Sequence, residues 1–440
     1  MRDTRLYRVL FFGIAPVRPL WARPPAHVCA YVMLARATER SCITILIYLG
    51  VFDMKRFFVL FFFIAFYGCG GSSNVAPVGP QWNIETVDDS SNQDVGWYSS
   101  LSMEFYVDDE DHWQSREHIL HYDLTSSNLK HSSRNMQTGS WENETVDFEG
   151  NVGGYPSSLF ANGTLHVFYY DYTNRDLKYA SRDAGGNWTI DIAGFRDLAN
   201  NAGRYSSIAL NPDDSAIYAT YFWDADDTCI FEVCVDELRV TTPLLSEPQS
   251  TLLAGEAWDS GTGAHSSLEI LEGEFVVSYY REGSTELKFW KSTLPSAVAV
   301  DSIGDVGRYS SLEIDTNQGA YYIAYYDSSN GNLKVASSTT GTNWATEVVD
   351  SIGDVGEYCS AVFFENQLHI AYLDYTNRNL KYVKGLPGDW GDPVVIDSSG
   401  LVTGHISIHQ ALEGHWMLSP NAYPKISYNS DNKLKLASYR

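Results

Sequence analysis

One stretch, GDVGRYSSLEIDTNQGAYYIAYYDSSNGNLKVASSTTGTNW (Gly304 to Trp344), constrains this chain more than any other, because the chain repeats it about seven times. Ser310 to Ile314, Ala320 to Tyr326, Asn332 to Ser337 and then Trp344 to Asp350 are four strand-like runs. Clusters of Gly, Asp, Asn, Ser and Thr separate them, which is turn chemistry. The apolar period is two rather than 3.6, so the unit is antiparallel β. LHVFYYDYTNRDLKYAS (Leu165 to Ser181), LHIAYLDYTNRNLKYV (Leu368 to Val383) and HILHYDLTSSNLKHSS (His118 to Ser133) lie over it closely. One serine marks each unit: Ser100, Ser158, Ser207, Ser267, Ser311, Ser360 and Ser407, spaced 44 to 60 residues apart. A four-stranded unit at that period predicts a β-propeller blade, and seven units predict a seven-bladed, all-β propeller.

Ser181-Arg182-Asp183-Ala184-Gly185-Gly186-Asn187-Trp188 fits the pattern S-x-D-x-G-x-x-W, and SSTTGTNW (Ser337 to Trp344) is a decayed copy with Thr339 in the Asp place. On these residues the chain, from about 82 to 440, resembles the Asp-box (BNR-repeat), sialidase-like propellers. The resemblance implies that the box is the turn between a blade's third and fourth strands. YSSL is then the innermost strand, and the last copy, ending at LKLASYR, lacks a fourth. WNIETVD (Trp82 to Asp88) is an outer strand with no blade before it. It is expected to complete the last blade and close the ring, leaving no open inter-blade edge.

Residues 1–53 carry seven Arg, Cys29 and Cys42 but no repeat, and read as a mis-called start or a leader. Met54 opens a second beginning, MKRFFVLFFFIAFYGCGGSS. Its order of charged residues, apolar run and Gly68-Cys69 resembles a bacterial lipoprotein signal. That implies a signal peptide over 54–68, a lipid on Cys69, a tether over 69–81 and the propeller over 82–440. Its location would be the outer membrane or cell surface, with the lipid as the only membrane contact. The whole chain carries −25. Such a charge excludes nucleic acid and anionic membrane as natural partners. Nothing in the repeat requires an oligomer, so a monomer is expected.

The turns leading into YSS and the YYDxxN turns share one face, where propellers usually take ligands. Asp171, Asp327 and Asp374 open tight Asx-turns there, and the recurring serines suit a narrow neck. The slot two residues before the first serine of each pair varies more: Trp97, Tyr155, Arg204, Ala264, Arg308, Glu357 and Gly404. Arg281 takes the Asp place of the fourth blade. Trp97, Tyr155, Arg204, Arg281 and Arg308 are therefore the candidate ligand contacts, flanked by Tyr309 and Tyr358. Surface arginines paired with nearby carboxylates are the plain alternative. Three blades carry longer segments, at Val107 to Glu117, Asp224 to Glu237 and Glu413 to Pro424. Cys229 and Cys234 share the second of these and are expected to form a disulfide in an exported chain. Cys359 is expected to be a buried free thiol.

The sialidase resemblance implies an arginine in an F/Y-R-I-P motif, a Tyr-Glu nucleophile pair and an acid Asp. The motif is absent, Phe195-Arg196-Asp197 being nearest, so no catalytic residue is assigned. No histidine makes HExxH, and DDED and DADD lack EF-hand spacing. No cofactor or metal is expected beyond a calcium ion at these acidic loops. The expected function is a cell-surface module that binds a glycan or a surface protein around the central opening. The alternatives are a sialidase-like glycoside hydrolase or lyase, and a structural surface lipoprotein without a specific ligand.

Overall fold

Each strand-like run of the repeat forms a strand. The computed structural model describes residues 27–34, 45–52, 81–90, 93–108, 110–193, 201–224, 236–243, 251–252, 262–415 and 421–439. No helix occurs among them. Residues 1–79 and 80–440 are two separate units. In the first, His27–Leu34 pairs antiparallel with Ile45–Phe52. The proposed signal peptide, Cys69, Cys229 and Cys234 lie outside the described residues.

The second unit is a seven-bladed β-propeller. Blade 5 is representative: Val306–Asp315, Ala320–Asp327, Asn332–Ser338 and Ala345–Asp350 pair in that order, all antiparallel. The others occupy 97–147, 152–192, 201–252, 262–301 and 355–397, with 402–439 completed by Trp82–Asp88. The expected closure is present. Trp82–Asp88 lies antiparallel on Lys433–Tyr439, with Trp82 opposite Tyr439 and Asp88 opposite Leu434.

The burial pattern follows from this stacking. Second strands lie between two neighbouring blades, so all eight residues of Ala320–Asp327 are buried. A strand covered on both faces reads as a continuous apolar and aromatic run. Fourth strands form the outer edge and stay largely exposed, as in Ala345–Asp350. The seven hydrophobic clusters correspond to the seven blade junctions. No blade has a core of its own, so the ring folds as one body.

Polar ties run through the same junctions. Asp147, Asp301, Asp350 and Asp397 end the fourth strands of their blades. Each accepts, at 2.7 Å, the hydroxyl of a second-strand tyrosine in the next blade: Tyr169, Tyr325, Tyr372 and Tyr428. Each also binds a third-strand lysine there: Lys178, Lys334, Lys381 and Lys435. Across the seam Asp88 binds Lys130, with His121 in the tyrosine place. Ala193 stands where the aspartate would be between blades 2 and 3, and accepts from Thr241 through its carbonyl instead. Burial alone would raise these carboxyls. The lysine and hydroxyl bonds outweigh it and hold them below the usual range, with Asp397 at about 2.

Two of the long segments form structure in place of loops. Trp97–Val107 pairs with His112–Asp123 as far as Val107 opposite Trp113. Val402–His415 pairs with Asn421–Ser430 from Glu413 opposite Asn421 onward. The two hairpins then join, Gly414 to Trp113 and His415 to His112. Below that join, buried Lys425 binds buried Glu117, and Arg134 binds both Glu117 and Glu85. These lengthened segments therefore strengthen the seam, at the end of the strands away from the YSS turns.

Candidate functional site

The site begins with a backbone irregularity that every inner strand repeats. In blade 5 the pairing runs Val306 to Asp327, Arg308 to Tyr326, then Ser311 to Ala324, with a register shift at each step. Gly307 has φ +113°, and a Cβ there would stand 2.8 Å from the Cα of Leu287 in the preceding blade. Tyr309, two residues on, has φ +56°. Bulges of this kind re-aim a side chain out of the sheet. The same left-handed residue recurs as Tyr98, Tyr155, Tyr205, His265, Tyr358 and His405, with φ between 49° and 53° for five of them and 55° for His405.

These seven side chains form a closed aromatic ring. Successive ring centroids lie 4.4, 4.8, 4.3, 4.5, 4.4 and 4.7 Å apart from Tyr98 round to His405, and His405 lies 4.4 Å from Tyr98. They line a cavity of about 200 Å³ at the central opening, with Ser99, Pro156, Ser206, Ser266, Ser310, Cys359 and Ile406 behind them. Burial, and for His265 also Arg308, pushes both imidazoles down to about 3, so they are neutral. Burial pushes the tyrosine hydroxyls upward. The opening is thus lined by uncharged groups at neutral pH.

A second ring, of serines, lies one step deeper. Ser407, Ser100, Ser157, Ser207, Ser267, Ser311 and Ser360 each accept, through Oγ, a backbone N–H from the next blade. The acceptor distances are 2.9 to 3.2 Å. In blade 2 the repeating serine is therefore Ser157, correcting the assignment to Ser158. Pro156 takes the place of the first serine there, so matching the Ser-Ser pair slips the alignment by one. The same slip misplaces Tyr155, which belongs with Tyr98; Gly154 holds the Trp97 slot. The serines are ties between blades. Above them Ser99, Ser206, Ser266 and Ser310 donate to the carbonyl of the preceding left-handed residue, and the Cys359 thiol does the same to Tyr309 at 3.0 Å. Cys359 is a buried free thiol.

The remaining candidates stand outside the aromatic ring. Trp97 donates from Nε1 to Asp94 and packs 5.0 Å from His405. Arg204 lies 3.7 Å from Asp224, Arg281 3.3 Å from Glu286 and Arg308 3.3 Å from Asp305. Arg308 also packs over Tyr280, at 5.1 Å. Every one of the three arginines has a carboxylate partner, so their charge is compensated locally. Asp171, Asp327 and Asp374 accept backbone N–H groups within their turns, as Asx-turns do.

The inter-blade loops on this face carry apolar side chains in the open: Ile303 82%, Ile352 79%, Phe148 70% and Leu401 62% exposed, more than any other large apolar residue described. Each loop is bonded to a turn between second and third strands, as Tyr375 N–H to Asp354 and Asp431 N–H to Leu401 show. Sequence reasoning passed over Tyr98, Tyr205, His265 and His405 as ligand contacts. Their signal was present as an aromatic two residues after a glycine in six units, with Thr403 in the glycine's place before His405.

No known family model matches the chain, and no curated protein matches it. Solved structures similar to it include a fucose-specific lectin from Aleuria aurantia, at 11% identity over 68% of this chain and 95% of that one, with a TM-score of 0.41. An oligogalacturonate lyase in complex with manganese is 11% identical over 78% of this chain and 97% of that one, with a TM-score of 0.48. A puromycin-hydrolyzing peptidase from Mycobacterium tuberculosis is 9% identical over 78% of this chain, at a TM-score of 0.44, and the chain spans about half of its length, 54%. These likenesses are of fold. What this chain does chemically rests on its own residues.

Proposed function

We propose that the protein is a binding module that takes a glycan on the face around its central opening. The observation that supports this most is the closed ring of five tyrosines and two neutral histidines. Aromatic faces with adjacent hydroxyls and imidazole nitrogens suit the apolar faces and hydroxyl edges of sugars. Trp97, Arg204, Arg281 and Arg308 form an outer tier around Tyr155, Tyr309 and Tyr358, able to contact a chain extending from the opening. Since each arginine is already paired, a neutral glycan fits better than an acidic one. The reading includes the Asp-box likeness at Ser181–Trp188, export, and tethering through Cys69, with weak single sites assisted by surface density. A glycan array probed with the exported chain tests it. Binding lost on Trp97→Ala, with the melting temperature kept, supports the reading, and an array without any signal at micromolar protein refutes it.

A protein ligand is the second reading, favoured by the exposed Phe148, Ile303, Ile352 and Leu401. Exposed apolar residues on one face commonly mark protein contacts. Under it, Ile303→Ser with Ile352→Ser removes capture of a partner and leaves the array signal unchanged.

A further inference from the structure

Two of the seven ring positions hold imidazoles, and their surroundings set them apart from the tyrosines. His405 is only 8% exposed and lines the opening, yet its Nε2 has no hydrogen-bond partner among the described residues. His265 stands three blades away around the ring, packed 4.3 Å from Tyr205 and 4.5 Å from Tyr309. An unsatisfied buried polar atom is costly in a native protein and calls for a partner that arrives later. A phenylalanine would fill the His405 place without that cost.

The opening itself limits what the partner is. Its volume of about 200 Å³ lies below the ~300 Å³ at which pockets for drug-sized ligands begin, so one small group fills it. Among the described residues, no carboxylate, lysine or arginine lines it. An ion entering would be desolvated without a counter-charge, which is expensive. A hydroxyl has both a donor and an acceptor, so it satisfies a neutral imidazole in either tautomer. The serine hydroxyls below are already engaged between blades and are not available to it.

We propose that the central opening is an end-on subsite for the uncharged, hydroxylated terminal residue of a glycan, with the imidazoles of His405 and His265 as its hydrogen-bonding partners. The proposal rests on the glycan reading of this face. It adds which end of the ligand enters, its charge, and the two residues that select it. Tyrosine is accommodated at the same left-handed backbone position in five blades, so phenylalanine is sterically suited to the two histidine positions.

The test uses saturation-transfer NMR on residues 70–440 and on the full chain, with galactose, glucose, fucose and N-acetylglucosamine as neutral probes and glucuronate and N-acetylneuraminate as acidic ones. At least one neutral sugar is expected to bind and no acidic one. His405→Phe and His265→Phe should each weaken that binding tenfold or more, with a melting temperature unchanged or, for His405→Phe, raised, because its unsatisfied nitrogen is gone. His405→Gln, which keeps a polar group, should retain part of it. A merely structural role would move the melting temperature and leave affinity alone. Neutral sugars binding the double His→Phe variant as well as the native chain overturn the subsite, as does binding of acidic sugars alone. Binding that is lost in Trp97→Ala but intact in the double variant overturns the subsite and leaves the glycan reading standing. No binding of any sugar, on the array or by NMR, overturns both.

Discussion

The hydroxyl of Ser407 accepts the backbone N–H of Leu101 at 3.1 Å, and so carries the serine ring across the seam between the last blade and the first. The two residues are over three hundred positions apart in the chain. Ser407→Ala would leave the Leu101 N–H without its acceptor in the ring's interior. An unmet group of that kind costs about 1–3 kcal/mol. Urea unfolding should show the loss with an unchanged m-value, since the same surface is exposed on unfolding.

The other half of the seam is the strand Trp82–Asp88. Removing residues 70–88 deletes Glu85, the partner of Arg134, and Asp88, the partner of Lys130. It also bares the edge of Lys433–Tyr439. The truncated chain should melt at least 10 °C lower or fail to fold, whereas removing 70–80 alone should leave the melting temperature unchanged. Equal melting temperatures for both truncations would contradict the closure.

His121 occupies the place held by Tyr169, Tyr325, Tyr372 and Tyr428 in other blades, 3.8 Å from Asp88, and its Nδ1 lacks a partner among the described residues. His121→Tyr should place a hydroxyl on Asp88 and stabilise the protein by about 1 kcal/mol, the net worth of one hydrogen bond. The converse change, Lys381→Met, leaves Asp350 buried without its cation and should cost about 3–5 kcal/mol. Paired denaturation curves of the two variants check both signs.

Acid should unfold the protein from an early pH. His265, His405 and His369 are held at about 3 by burial, against ~6.5 in the unfolded chain. Between these values the unfolded chain binds more protons than the folded one, so stability falls as pH drops from about 6.5 toward 3. The slope approaches 1.4 kcal/mol per pH unit for each such group. The junction aspartates, lowered in the folded state, lose their contribution only below about 4, toward the value of about 2 at Asp397. Buried Glu269, raised to about 7 by burial, and Glu313, raised by burial and by Glu269, take up protons in the folded state first and oppose the fall between about 7 and 4.5. The buried histidines outnumber them, so denaturant midpoints measured from pH 7.5 to 4 should still decline. The double variant His265→Phe, His405→Phe should flatten the decline, and a level profile from pH 7 to 5 in the native chain would contradict it.

Cys359 replaces the serine that elsewhere donates to the preceding left-handed residue's carbonyl. Burial pushes its thiol well up, so it should resist alkylation in the folded protein and react once unfolded. Cys359→Ser should be neutral or stabilising by less than about 1 kcal/mol, because Ser310 already makes the same bond one blade earlier. Rapid labelling of the native thiol would refute the burial argument.

Alternating strands, turn residues and the number of blades were legible in the sequence because each is encoded within one unit of roughly fifty residues. Even the closure by Trp82–Asp88 was legible, since an outer strand without a blade and a blade without an outer strand imply each other. The relations between units were not. Ser157 and Ser158 are alike in sequence, and only the bond from Ile208 N–H to Ser157 Oγ decides which belongs to the ring. The arginines at 204, 281 and 308 were expected as ligand contacts on one face, while the structure pairs them with Asp224, Glu286 and Asp305, a choice between ligand contact and ion pair that the sequence left open. The aromatic ring was partly visible, as Tyr155, Tyr309 and Tyr358. It became a closed ring through Gly307 and its counterparts, where close approach of the preceding blade forbids a Cβ and bulges turn the next aromatic toward the axis. Local periodicity thus determined the blades. Contacts between blades, each made by residues distant in the chain, decided what the central opening presents.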